Sequence, residues 1–519
     1  MTNDNTVVIG KNILDNLTTG MYSDSRVIYR EYIQNACDQI DIAKREGLLS
    51  EDNPGEISIT IDSTNRNIII EDNATGVKKK DFKENIYNIA DSNKVRGQQR
   101  GFRGIGRLCG LAYCKTLKFT TSTHGENVAS IMECDAQKMR QLLGDKKKYS
   151  VQEIWENIVK FDSKPEDIEK HYFKVELIDV IKEDNRLLDY DDISNYLSFV
   201  APVPYKNMFF FSKQIYEHAK LINMPIDEYK IYINDNELFK GYQRYLYDNS
   251  GQDSYDEITN VRFKDFFDDS GKLIAWLWYG ISRFEKNIPE RNLMRGIRLR
   301  SANIQIGDNS TLRDFFRETR GNTYFIGELF AVDPQLIPNS QRDYFNENEA
   351  RLKFENSVRI YFHETLYDIY RKANVIKNAY KAQEDYSNLQ NDFDLKNQNQ
   401  EFIDQQEKDN ALQNLQAAKE KAEKESKKLQ HIEDKSRDTP AIIEINNNYR
   451  KKFSSTSELP QKTDEQENQK KKSKYLPDKF SKLDRKERKI LQKVMSIIVD
   501  TAPKDISNAI IERIKKEFG

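Results

Sequence analysis

Thirteen residues near the amino terminus, Tyr29-Arg30-Glu31-Tyr32-Ile33-Gln34-Asn35-Ala36-Cys37-Asp38-Gln39-Ile40-Asp41, constrain this chain more than any other stretch. Ile28, Tyr32, Ala36 and Ile40 recur every four residues, the spacing of an apolar stripe on a helix. On another face Glu31, Asn35 and Asp38 stand at i, i+4 and i+7, so one helix presents an acid, an amide and a second acid in a row. Taken alone, that row reads as the solvated face of an amphipathic helix.

Two later segments change its meaning. In Ile68-Ile69-Ile70-Glu71-Asp72-Asn73-Ala74-Thr75-Gly76-Val77 a β-branched apolar run ends in Asp-Asn and then Gly, which predicts a buried strand running into a turn with an acid at its lip. Such an Asp accepts a hydrogen bond from an exocyclic amine like that of adenine. In Arg100-Gly101-Phe102-Arg103-Gly104-Ile105-Gly106-Arg107-Leu108-Cys109-Gly110-Leu111, three glycines precede a helix-capable apolar segment. Bare backbone amides there suit the approach of phosphate to a helix N-terminus.

In this order the three segments resemble the GHKL ATPase superfamily, which includes gyrase, heat-shock chaperones, histidine kinases and MutL. Met21-Tyr22-Ser23-Asp24-Ser25-Arg26-Val27-Ile28-Tyr29-Arg30-Glu31, then Asn35-Ala36 and Asp38, is most similar to the heat-shock protein 90 family, and the likeness covers about the first 375 residues. The resemblance implies ATP and Mg²⁺ as ligands. It gives Glu31 the part of the general base on the attacking water, Asn35 that of a Mg²⁺ ligand through its hard amide oxygen, and Asp38 a place at the sugar and base end. Asp72, followed by Gly76, would read the adenine amine. Asn85, in a run similar to the family's pre-lid helix, would touch phosphate or metal. Gly101, Gly104 and Gly106 would wrap the phosphates as part of a lid to which Lys94, Arg96, Arg100 and Arg103 add positive charge.

Two departures stand out. Ala74 occupies a position where the family carries Gly, so the turn after Asp72 requires either a negative φ or some strain. The family's Gly-Thr pair, with its hydroxyl near the base, is missing from the matching strand Tyr172-Phe173-Lys174-Val175-Glu176-Leu177, leaving a water or Thr120 to stand in.

A chain of 519 residues is too long for one core. The expected class is α+β: a GHKL (Bergerat) sandwich over residues 1–182, a ribosomal-S5-like α/β middle domain over 183–375, and a helical remainder. Strands are expected near 56–62, 67–71, 115–122, 127–133 and 172–180, with a polar helical insertion between about 135 and 170. In the middle domain Asn207-Met208-Phe209-Phe210-Phe211, Tyr229 to Asn234, Leu273 to Tyr279 and Ile297 to Arg300 read as strands. Leu336-Ile337-Pro338-Asn339-Ser340-Gln341-Arg342-Asp343 resembles the loop from which the family sends an Arg to the γ-phosphate, here Arg342; the competing reading pairs Arg342 with Asp343.

Beyond residue 375 the likeness stops. Residues 376–436 read as a long helix, either a broken coiled coil pairing two chains or a helix packing back on its own chain. Residues 437–475 read as a flexible linker, and 476–519 as a helical hairpin, 483–500 and 504–518, suited to dimerisation or docking. Residues 441–519 hold 19 basic and 12 acidic residues, yet the whole chain carries a net charge of -2, which gives no general attraction to nucleic acid or to anionic membrane. The four cysteines, Cys37, Cys109, Cys114 and Cys134, lack metal-ligand spacing and fit small core residues of a cytoplasmic protein. No apolar run is long enough for a membrane helix.

The resemblance thus implies an ATPase acting as a conformational clamp, with lid closure and docking of a homodimer, in a setting such as a prokaryotic antiviral defence system. Two roles remain open. One is a chaperone for protein clients; the other is a DNA-associated clamp resembling the MORC and MutL branches.

Overall fold

The computed structural model describes residues 9–18, 22, 24–89, 106–182, 185–248, 251, 253–399, 401–436, 439–457, 494, 498 and 504–518. Gly101, Gly104 and the basic residues expected in the lid lie outside these, as do 458–475 and nearly all of 483–500. The chain divides into two compact units, Met1–Tyr449 and Arg450–Gly519.

The first unit begins with α1 (Asn12–Thr18) and α2 (Val27–Arg45), then β1 (Glu56–Asp62), β2 (Asn67–Asp72), α3 (Lys79–Tyr87), a short 3₁₀ segment (Gly106–Ala112), β3 (Cys114–Ser122) and β4 (Val128–Asp135). There follow α4 (Ala136–Gly144), α5 (Val151–Ile158), β5 (Val159–Pro165), β6 (Tyr172–Val180), α6 (Tyr190–Val200), α7 (Ser212–Leu221), β7 (Lys230–Ile233) and β8 (Asn236–Glu237). Their strands make one eight-stranded sheet in the order β5-β4-β3-β6-β2-β1-β7-β8. In β1, Ile57, Ile59 and Ile61 are buried while Ser58 and Thr60 face water, so a period of two fixes which face carries the core. α2 packs on that face through Ile28, Ile33 and Ile40, all at most 1% exposed, each contributing about 2 kcal/mol of burial.

Three expectations are corrected here. The insertion between 135 and 170 is not all helical: its last part, β5, adds an edge strand paired antiparallel to β4. The strand expected at 229–234 does not belong to the middle domain's sheet, because β7 pairs parallel to β1 and extends the first sheet beyond residue 182. The aromatic run 207–211 is a turn leading into α7, with Phe209 and Phe211 buried and Met208 and Phe210 exposed. Its aromatic residues resemble a strand's composition, but the burial pattern comes from a tight turn.

A second, five-stranded sheet follows the short pair β9 (Tyr245–Tyr247) and β10 (Ser254–Glu257). It comprises β11 (Asn260–Phe267), β12 (Leu273–Ile281), β13 (Gly296–Ser301), β14 (Ile304–Ile306) and β15 (Ile326–Ala331), in the order β11-β12-β15-β13-β14. At its centre the fully buried Glu328 accepts from Lys240 at 2.7 Å and Tyr242 at 3.1 Å, and also from Arg300 and Tyr205. Burial alone would raise the Glu328 carboxyl, but the two cations outweigh it and hold it at about 2.

Helix α8 (Glu349–Tyr361) runs through a π-helical turn into α9 (Tyr367–Asn399), followed by α10 (Gln405–Lys435) and α11 (Pro440–Ser457). The expected single helix over 376–436 is broken, and α9 and α10 fold back on each other: rings of Phe393 and Phe402 meet at 5.5 Å, and Lys396 pairs with Glu407 at 3.8 Å. Asp404 starts α10 by accepting from the Glu407 N–H at 2.7 Å. Within the linker expected over 437–475, residues 440–457 are helix. Pro440 opens α11 where a missing N–H costs nothing, and Ile442, Ile445 and Tyr449 recur at helical spacing and are buried. Glu444 accepts from Arg262 at 2.7 Å, while Tyr449 stacks on Tyr380 at 5.7 Å. In the second unit Lys504–Phe518 is the helix α12. Among the described residues no helix is long and apolar enough to cross a membrane, and the four cysteines are buried thiols.

Candidate functional site

The site is built on α2. The residues that form its core stripe leave the row Glu31, Asn35 and Asp38 turned toward the turn after β2 and the 3₁₀ segment; Glu31 and Asp38 are buried and Asn35 half-buried. Tyr32 fixes the segment in place, its hydroxyl donating to the Arg107 carbonyl at 3.0 Å and accepting the Gly110 N–H at 3.2 Å.

Glu31 is the focus. Its Oε1 lies 3.0 Å from Nε of Arg342 and 3.3 Å from Nη2 of Arg30, so an acid from the first sheet's helix meets an arginine 311 residues further on. Arg30 also reaches the Gln341 carbonyl at 3.3 Å, tying α2 to the same loop. Arg342 adopts φ 56, a left-handed conformation rarely held by a long side chain; such outliers persist where surrounding structure imposes them. The alternative partner, Asp343, is instead held by Asn339. On the other side Gly106 leaves just enough room: a Cβ there would stand 2.6 Å from Glu31 Oε2. Gly106 therefore packs on the carboxylate, a more specific place than the phosphate-wrapping role expected of it. Burial, and next the Glu31 charge, push the Tyr22 hydroxyl and the Cys109 thiol well above their ordinary ranges, which marks a low-dielectric pocket around the acid.

Asp72 lies at the end of β2, 5% exposed, and accepts the Ala74 N–H at 3.1 Å. Burial pushes its carboxyl up to about 7. A buried carboxylate whose one hydrogen bond comes from a backbone N–H keeps acceptor capacity for an incoming N–H donor, such as an exocyclic amine. Ala74 is not among the described residues with positive φ, so the turn is made without strain at that position. The demanding position is Gly76, at φ 64, where a Cβ would come 1.8 Å from the Ser122 carbonyl oxygen.

Register decides the question of the missing Thr. Asp72 pairs with Phe173, and Phe173 with Thr121, so Thr121 shares the face of Asp72 and Thr120 lies on the opposite one. Thr120 therefore cannot stand in at the base. The Thr121 hydroxyl is committed elsewhere, accepting the Val77 N–H at 2.9 Å and donating to the Tyr172 carbonyl at 2.7 Å, which staples the Gly76 turn to the sheet. Asn85 sits on an exposed face of α3. Arg30 was not anticipated from the sequence, because adjacent helical residues do not share a face; only its long side chain curls back to Glu31.

Residues 25–164 match the family described as histidine kinase-, DNA gyrase B-, and HSP90-like ATPase. Similar proteins include the chaperone protein HtpG of Rickettsia typhi, 29% identical over 144 residues (24% of this chain, 23% of that protein). The chaperone protein HtpG of Bacillus licheniformis is 28% identical over 134 residues (23% and 21%), and that of Psychrobacter arcticus 29% over 131 residues (22% and 20%). The match thus spans less than a quarter of these relatives' length. An acid-amide-acid helix, a buried Asp at a strand end and a Gly-tight turn, in the family's order and on one sheet, place residues 25–164 in the GHKL ATPase superfamily as an ATP-binding domain of the heat-shock-protein-90-like kind.

Proposed function

We propose that this chain hydrolyses ATP and uses the cycle to change how the α2 domain docks on the loop that carries Arg342. The observation that carries the reading is the 3.0 Å pair between Glu31 and Arg342: the two groups that phosphoryl transfer needs beside its water, a base and a permanent cation, already meet in one pocket. Asp72 accepts the adenine amine. Asn35, with its amide oxygen in the polar row, would hold Mg²⁺, which neutralises phosphate charge when bound. Glu31 takes the proton of a water whose oxygen bonds to the γ-phosphorus as the bond to the β-phosphate oxygen breaks and ADP leaves. Arg342 turns its fork from the carboxylate to the phosphoryl oxygens, freeing the base as it neutralises the transferring group.

A protein-client role is the second reading, supported by relatives named as chaperone proteins. Dimerisation belongs to the same reading.

Glu31→Ala tests the first reading. The variant is expected to retain ADP and ATP affinity and to lose phosphate release. Release at the wild-type rate would remove Glu31 from the reaction.

A further inference from the structure

Helix α2 has a third face, about 60–80° round from Glu31, on which Gln34 and Asp41 look toward β13, β14 and the loop after β15. Between them is a cavity of about 400 Å³, bordered by Gln34, Asp41, Trp276, Ser301, Phe330 and Arg342. Glu31, Asn35, Asp38 and Asp72 do not line it, so it is distinct from the row that faces nucleotide. Its volume falls within the range of small-molecule sites.

Gln34 is 1% exposed, and both its side-chain oxygen and its nitrogen are without a partner among the described residues. Buried amides are ordinarily hydrogen-bonded. Its neighbour Gln39 is: its oxygen accepts from the Thr75 hydroxyl at 2.8 Å. Four charged residues border the cavity, Asp41, Asp227, Asp333 and Arg342; Asp41 accepts from the Tyr229 hydroxyl at 2.7 and 2.8 Å, Asp333 pairs with Lys272 at 3.0 Å and Arg342 with Glu31 at 3.0 Å. Trp276 and Phe330 stack at 4.3 Å and 7° to form an apolar wall. The recognition features are therefore a flat apolar surface and one adjacent donor and acceptor on Gln34.

We infer that this cavity binds a small neutral aromatic carboxamide or lactam. Its amide pairs edge to edge with that of Gln34, N–H to C=O in both directions, and its ring lies along the wall of Trp276 and Phe330. Anionic ligands are disfavoured, because an added negative charge would meet Asp41, Asp227 and Asp333 while Arg342 is already paired with Glu31.

Benzamide is the probe. The full chain is titrated by calorimetry, with tryptophan fluorescence followed in parallel, in saturating ADP and Mg²⁺ so that the nucleotide pocket is filled. One-site saturable binding with a change in emission is expected. Gln34→Leu, of similar volume but without the amide, should weaken binding by at least about tenfold and leave ADP affinity unchanged. Ile337→Trp, filling the cavity from the loop side, should abolish benzamide binding, and it carries the test should Gln34→Leu not fold. No saturable uptake by the wild type, uptake seen only without ADP, or wild-type affinity in the folded variants would each overturn the assignment.

Discussion

Adding one methyl group at Gly106 tests the geometry of the base without touching it. A Cβ there stands 2.6 Å from Glu31 Oε2, 3.5 Å from Cδ and 3.6 Å from Cβ. A carbon and an oxygen in ordinary contact need roughly 0.6 Å more. A free glutamate would swing aside at little cost. This one is pinned through Oε1 by Arg342 at 3.0 Å and Arg30 at 3.3 Å, so retreat stretches charge-assisted contacts on its far side. Losing one such bond costs about 1.5–3 kcal/mol, and displacing a reacting group by an ångström slows chemistry by about 100-fold. Gly106→Ala should therefore lower kcat by about 10–100-fold, with the ADP Kd changed by less than about twofold. Phosphate release at saturating ATP, paired with calorimetry for ADP, gives both numbers. Turnover at the wild-type rate would refute the pinned carboxylate. Loss of ADP binding would show instead that Gly106 serves the phosphates.

The remaining expectations concern the nucleotide end. Because burial raises the Asp72 carboxyl to about 7 from an ordinary 3.8, its ionised form, the stronger acceptor for the adenine amine, is lost as pH falls through about 7. ADP affinity should be level above about pH 8 and fall by up to about tenfold per unit below about pH 7, a slope that Asp72→Asn removes; calorimetry across pH checks it. The sign for folding is opposite: the raised acid stabilises the empty domain below pH 3.8 and loses that contribution as pH rises through about 7, so stabilisation by ADP in thermal melts should be greatest at high pH. Gly76→Ala combines a left-handed φ of 64 with a Cβ 1.8 Å from a backbone carbonyl and should destabilise the domain by at least about 3 kcal/mol, measured by denaturant unfolding.

Much of the first sheet was legible because β1, β2, β3, β4 and β6 each carry a local signal, whereas β5 does not. The alternation Ile57, Ile59, Ile61 and the isoleucine run before Asp72 depend only on local spacing, and β1, β2 and β6 begin and end close to where the residues predict. Tertiary pairing carries no such local signal. β7 reads as a strand, but whether it joins β1 or the second sheet is decided by hydrogen bonds to residues 174 positions earlier. Residues 440–457 read as a linker because Pro440, Asn446-Asn447-Asn448 and Ser454-Ser455-Thr456-Ser457 interrupt the apolar pattern, while the buried side of α11 is short, Ala441, Ile442, Ile445, Asn446 and Tyr449. In the site, Glu31, Asp72 and Arg342 were recognisable by motif; Arg30 was not, since its neighbourhood with Glu31 depends on a curled side chain. The choice between Thr120 and Thr121 turns on strand parity, which the register with Phe173 fixes.

The most direct measurement is phosphate release by Arg342→Ala at saturating ATP and Mg²⁺, with ATP affinity measured beside it. A guanidinium that neutralises the transferring phosphoryl group predicts a fall in kcat of about 10²-fold or more at nearly unchanged affinity. Unimpaired turnover would show that the contact between Glu31 and Arg342 holds two parts of the fold together and has no share in the chemistry.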